Sequence, residues 1–114
     1  MERSVHTLDE TLSGLEDGLR RLYGCRYRGL VLYGSHARGE ADEGSDVDLL
    51  LLLSGMVQTG NEIRRASELV SRFSLESEQV LSVIPVSAED YHYSAEPYLR
   101  HARREGRLLS AASA

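Results

Sequence analysis

The chain has 114 residues, 41% hydrophobic and 27% charged, with a net charge of -5. That describes one domain of ordinary globular composition with room for a modest core. It argues against general nucleic-acid binding, which needs a basic footprint. No apolar run approaches the roughly 20 residues that a bilayer crossing requires, and the five leucines at 49–53 fall far short. Cys25 is the only cysteine, which rules out an internal disulfide and a multi-cysteine zinc site. We expect it to be a small core residue at a helix-to-strand junction. All 13 basic residues are arginine, so the phosphate-binding lysines of Walker loops and protein kinases are absent. The N-terminus lacks an apolar signal core, which makes a cytoplasmic location the expectation.

Leu8, Leu12, Leu15, Leu19 and Leu22 recur every three or four residues and predict an amphipathic helix over about 7–24, ending near Gly24. Gly14 and Gly18 weaken it without breaking the pattern. Tyr27 to Tyr33 reads as a first strand. Gly34 opens a turn and a very short helix to about Glu40, and Asp42 to Ser45 is a polar loop. Val47 to Leu53 is apolar on both faces and therefore a central strand. Asn61 is placed to cap a helix running to about Glu76 or Ser77, with Ile63, Ala66, Leu69, Val70 and Phe73 on its apolar face. Val80 to Val86 forms a third strand, Ser87 caps a short turn, and Glu96-Pro97 starts a last helix that ends by Gly106. There is no internal repeat and no domain boundary. The expectation is a single domain over 1–114 with a frayed tail at 109–114.

The informative stretch is Gly34-Ser-His-Ala-Arg-Gly39, followed shortly by Ser45-Asp-Val-Asp48. Residues two apart on a strand share a face, so Asp46 and Asp48 point the same way. Two adjacent like charges repel unless a cation lies between them, and carboxylate oxygens are what Mg²⁺ prefers. Gly34 lets the backbone turn sharply against a ligand. Ser35 follows at the start of the short helix, where free amides favour a phosphate. Arg38 is placed to reach the same phosphates or to hold the acidic loop at 40–46. Ser45 caps the turn into the aspartates. If these groups share a site, the first two strands pair antiparallel and the third lies parallel to the second. The fold class is α+β, a small mixed sheet with helices packed on it.

Taken singly, a Gly-Ser is a turn and an Asp-x-Asp is a solvated loop. Their combination resembles the nucleotidyltransferase superfamily of DNA-polymerase-β type, in particular its minimal stand-alone MNT-type members. The tight motif covers about a fifth of the chain. The resemblance implies the nucleotidyltransferase fold and Mg²⁺-dependent transfer of an NMP, AMP from ATP being the favoured case, to a hydroxyl. Gly34 and Ser35 would bind the triphosphate, helped by Arg38 and Ser45, and Asp46 and Asp48 would hold metal. Many such proteins are antitoxins paired with a helical HEPN-type toxin, some adenylylating a tyrosine of it. One departure stands out. Active members supply a third carboxylate from a later strand, and here Ser82 occupies that place. Serine cannot act as a base near neutral pH. Glu76 and Glu78 precede the strand, Glu78 on the face of Ser82. The alternative to an enzyme is therefore a degenerate module that binds or dimerises with its partner.

Arg100, Arg103, Arg104 and Arg107 fall along one side of the last helix, as a solvated face or as a docking stripe for an acidic partner or for RNA held by it. Tyr91, Tyr93 and Tyr98 either pack on the sheet or rim the site. His6, His92 and His101 lack metal-ligand spacing. The leucine-striped first helix offers a route to a homodimer.

Overall fold

The computed structural model describes residues 7–42 and 44–109. His6, Glu43 and most of the expected frayed tail lie outside them. Helix α1 spans Leu8–Tyr23. It begins at a reciprocal capping box, the Thr7 hydroxyl accepting from the Glu10 amide and the Glu10 carboxylate from the Thr7 amide. Leu12, Leu15 and Leu19 are buried as expected, but Leu22 is exposed and Tyr23 fills the last inward position. Since those leucines enter the chain's own core, they are not a free face for a second copy. Gly14 and Gly18 have a packing role. A Cβ on either would stand 2.8 Å from Phe73 or Leu69 of helix α3, Thr59–Ser77. Helix propensity is given up so that the two helices can approach closely. The 3₁₀ turn Gly24–Arg26 follows, and Cys25 in it is exposed rather than in the core.

Four strands form one sheet: β1 Tyr27–Tyr33, β2 Val47–Leu53, β3 Leu81–Ser87 and β4 Arg107–Leu108, in the order β3-β2-β1-β4. As expected, β2 is internal, antiparallel to β1 and parallel to β3. Its leucines alternate between two cores. Leu49, Leu51 and Leu53 face α1 and α3, whereas Leu50 and Leu52 face α4, Ala88–Tyr93, and α5, Pro97–Glu105. Ser87 caps α4 by accepting from the Asp90 amide at 2.9 Å. Strand β4 was not expected, because two residues carry no period. It forms because Gly106 lets the chain slip past α5 onto β1; a Cβ there would meet the Ala102 carbonyl at 2.5 Å and Val31 at 2.7 Å.

Asn61 does not cap α3. The helix starts two residues earlier, at Thr59, and the Asn61 amide donates to Gln58 at 2.7 Å. The buried Glu62 anchors that first turn. Its carboxylate pairs with Arg26 at 3.2 Å, and its carbonyl accepts from the Tyr23 hydroxyl at 3.3 Å. Among the described residues no helix is long and apolar enough to cross a membrane.

Burial, followed by the bond to Glu62, pushes the Tyr23 hydroxyl from 10.0 up to about 12. Burial also raises Tyr33 and Tyr91. A group whose folded pKa is raised stabilises the fold below its unfolded pKa and loses that contribution as the pH climbs through the folded value. Stability should therefore fall between about pH 10 and pH 12, where tyrosine titrates in the unfolded chain but not yet in the fold. Tyrosinate absorbance and far-ultraviolet circular dichroism, followed together, should show Tyr23, Tyr33 and Tyr91 ionising only as the fold is lost. Full ionisation with the dichroism intact would contradict this.

Candidate active site

At one end of the sheet, Tyr33 of β1, Asp48 of β2 and Ser82 of β3 stand side by side in register. All three lie on the α4–α5 face, since the next row on that face, Val31, Leu50 and Ile84, belongs to the second core. Alternation puts Asp46 on the same side, one step before β2 begins. The two carboxylates thus project from the head of a buried strand. Among the described residues neither has an ion pair or hydrogen bond.

Gly34 closes the site from the β1 side. Its backbone, at φ 76 and ψ -156, occupies a region that side chains avoid. A Cβ there would stand 2.5 Å from Asp48 Oδ2, so the peptide lies directly against the carboxylate. Ser35 is the first residue of helix α2, Ser35–Arg38. The Ala37 and Arg38 amides bond the Gly34 carbonyl, and the Ser35 and His36 amides precede any helical acceptor. The acidic loop is tied back to this turn. His36 Nε2 lies 3.4 Å from the Ser45 carbonyl, and the Ser45 hydroxyl accepts from the Asp42 amide at 3.0 Å and donates to the Asp42 carboxylate at 3.2 Å. Ser45 thus caps the turn into the aspartates, as expected. The Arg38 guanidinium pairs with Glu40 of the acidic loop at 2.9 Å and with Glu105 at 3.5 Å.

Ser82 faces Asp48 directly, and among the described residues no carboxylate other than Asp48 stands in that row. Glu78 is not on the strand face. It is the left-handed C-cap of α3, with β3 beginning three residues later, and Glu76 is in the last turn of that helix. Among the described residues no third His, Cys, Asp or Glu joins Asp46 and Asp48 in a metal-sized cluster.

Tyr33 was not singled out from the sequence, although its place next to the Gly-Ser turn could have signalled it. Its ring meets Tyr98 edge-on at 6.2 Å between centroids. Burial, then the hydrogen bond to Tyr98, then the charges of Tyr98 and Asp48, push its hydroxyl well above the usual tyrosine range. It remains a neutral hydrogen-bonding group beside the carboxylates. Of the other clustered tyrosines, Tyr91 packs on the sheet and Tyr93 is exposed. A cavity of about 540 Å³ lies at the opposite end of β2 and β3, lined by Gly55, Val57, Pro85 and Ser87 among others, away from this chemistry.

A mixed sheet carrying Gly-Ser at the end of one strand and Asp-x-Asp at the head of the next defines a class of nucleotide-handling domain. Residues 12–98 match the profile of the nucleotidyltransferase domain, and the chain belongs to that family. A Methanocaldococcus jannaschii protein, provisionally named a protein adenylyltransferase, is 42% identical over 55 residues, which are 48% of this chain and 54% of that protein. The chain thus spans about half the length of this curated relative. Among solved structures, a toxin–antitoxin with AMP-PNP aligns with TM-score 0.62 and 13% identity over 90% of this chain and 72% of that one. A Sulfolobus solfataricus protein, provisionally described as a nucleotidyltransferase, aligns with TM-score 0.57 and 15% identity over 88% and 73%. A mutant of the toxin–antitoxin MntA–HpeT aligns with TM-score 0.54 and 10% identity over 82% and 70%. At these identities the structural likeness concerns the fold.

Proposed function

We propose that this chain transfers a nucleoside monophosphate, AMP from ATP, to a hydroxyl, with a tyrosine of a helical HEPN-type partner as the acceptor, in an antitoxin role in the cytoplasm. The observation that carries the reading is the unpaired Asp46–Asp48 set against the Gly34 backbone, within a nucleotidyltransferase domain. Two hard carboxylates with no ion pair among the described residues, beside a peptide that leaves no room for a side chain, fit a divalent metal such as Mg²⁺. When bound, that metal would offset charge that builds on the phosphates during transfer. Gly34 would admit the triphosphate, Ser35 would offer its amide and hydroxyl, and Tyr33 would donate a hydrogen bond from beside Asp48. Arg38 and Ser45, which brace the acidic loop, would complete the nucleotide site beside them. The names of the relatives, a protein adenylyltransferase and two toxin–antitoxin structures, support a protein as acceptor and a toxin–antitoxin setting.

Calorimetric titration with ATP, with and without Mg²⁺, tests this on the wild type and on the Asp46→Asn/Asp48→Asn variant. We expect binding that needs both the metal and the aspartates. Absence of binding by the folded wild type, to ATP and to other NTPs, would leave the second reading: a module that neutralises its partner by contact. The specific observation favouring that reading is the lack of a third acid around Ser82. Ser82→Asp is therefore informative. Its carboxylate would stand beside Asp48 across the parallel ladder. Turnover should rise by about tenfold or more, as a positioned base contributes roughly 10²–10⁴-fold. Unchanged turnover would show that the base comes from elsewhere.

A further inference from the structure

A pocket of about 330 Å³ opens on the α4–α5 side, lined by Arg28, Leu52, Tyr91, His92, Arg103 and Leu108. It is within the size range of a small-ligand site. It contains two arginines and a histidine and no carboxylate, in a chain where acidic residues outnumber basic ones 18 to 13. Arg28 gets there through a deliberate irregularity. Tyr27 pairs with Leu53 and Gly29 with Leu52, so Arg28 has no partner on β2. Such a bulge re-aims a side chain. Gly29, at φ 153, is the residue that permits it, and a Cβ there would press on Leu108 at 3.0 Å. Arg103 is held for the same pocket, with one Nη donating to the Tyr91 carbonyl at 2.6 Å. The His92 ring is exposed and braced edge-on against Tyr91 at 5.2 Å. Among the described residues Arg28 has no ion pair, and neither do Arg100 or Arg104, which flank Arg103 on α5. The net charge of -5 thus hides a local reversal of sign. From Arg28 to Tyr33 is five residues of strand, roughly 16 Å, so the pocket is separate from the aspartates.

We propose that Arg28, His92 and Arg103 form a second anion site that takes one nucleotide unit, its phosphate on the two guanidinium groups and its base against His92 and Leu108. Arginine forks match phosphate oxygens, and an exposed ring beside them accepts any base. The unit comes either from a free nucleotide or from a single-stranded RNA that continues along α5 past Arg100 and Arg104. The site does not depend on the transferase reading, and the two can fail separately.

The test is binding of AMP, by calorimetry, and of a labelled short oligoadenylate, by fluorescence anisotropy. Both are run in EDTA at low and high salt so that metal-dependent nucleotide binding is silent. We expect binding that weakens with salt and falls at least about tenfold in Arg28→Glu. Arg28 is exposed, and among the described residues its side chain makes no hydrogen bond or ion pair, so this variant should fold. The Asp46→Asn/Asp48→Asn variant should bind as the wild type does. Binding of AMP itself identifies a free nucleotide as the source, and binding of the oligonucleotide alone identifies a strand. The site is refuted if neither probe binds at low salt, if Arg28→Glu binds unchanged, or if the aspartate variant loses binding. It is also refuted if a polyglutamate peptide binds equally well, because the corner would then fit an acidic protein.

Discussion

The Asp46→Asn/Asp48→Asn variant is expected to melt at a higher temperature than the wild type in metal-free buffer, and at a lower one in saturating Mg²⁺ and ATP. The first half follows from the unpaired carboxylates at the head of β2. Two like charges one strand repeat apart, about 7 Å, repel by roughly 0.6 kcal/mol even at the dielectric of water. Neutral amides of the same shape remove that cost. The second half follows from linkage. A ligand at 100 times its dissociation constant adds about 2.7 kcal/mol to the state that binds it. In a domain of this size, each kcal/mol moves the midpoint by about 4 °C. The crossing of the two orders is the diagnostic result, read by differential scanning calorimetry. A variant that is less stable in both buffers would mean that the aspartates serve the fold and not a ligand.

Gly34→Ala should do comparable damage by a different route. The backbone conformation there costs an ordinary residue about 1–3 kcal/mol, and the added methyl would collide with the Asp48 carboxylate at 2.5 Å. Stability and Mg²⁺-dependent ATP binding should fall together, binding by at least about tenfold, or 1.4 kcal/mol. Gly39→Ala is the matched control. It also has a positive φ, 75, but nothing lies within 4 Å of its would-be Cβ. It should lose stability and keep its affinity. Equal affinity in both variants would show that the approach of Gly34 to Asp48 has no bearing on the ligand.

These expectations rest on features with different legibility. The bounds of β1 and β2 were readable because an unbroken apolar run between turn residues leaves few alternatives. The antiparallel pairing followed from the short connection between Tyr33 and Val47. The capping box Thr7–Glu10 was equally readable, and only the leucine stripe behind it was used. The start of α3 was misread, because Asn61 has the chemistry of a cap but Glu62 and Arg26, 36 residues apart, decide where the first turn sits. Cys25 was misplaced for a similar reason: a small apolar side chain at a junction goes wherever the turn directs it.

What this sequence determined alone was local and periodic: the helices, the central strand, the shared face of Asp46 and Asp48, and the glycine that must precede Ser35. Those follow from nearest-neighbour sterics and from alternation. The tertiary structure decided which residues share a row. It set Tyr33 and Ser82 on either side of Asp48, gave Arg38 to Glu105, seated Glu62 against Arg26, and turned Arg28 toward Arg103 through a bulge. Each of these joins groups far apart in the chain, and no local pattern encodes a partner that only packing brings near.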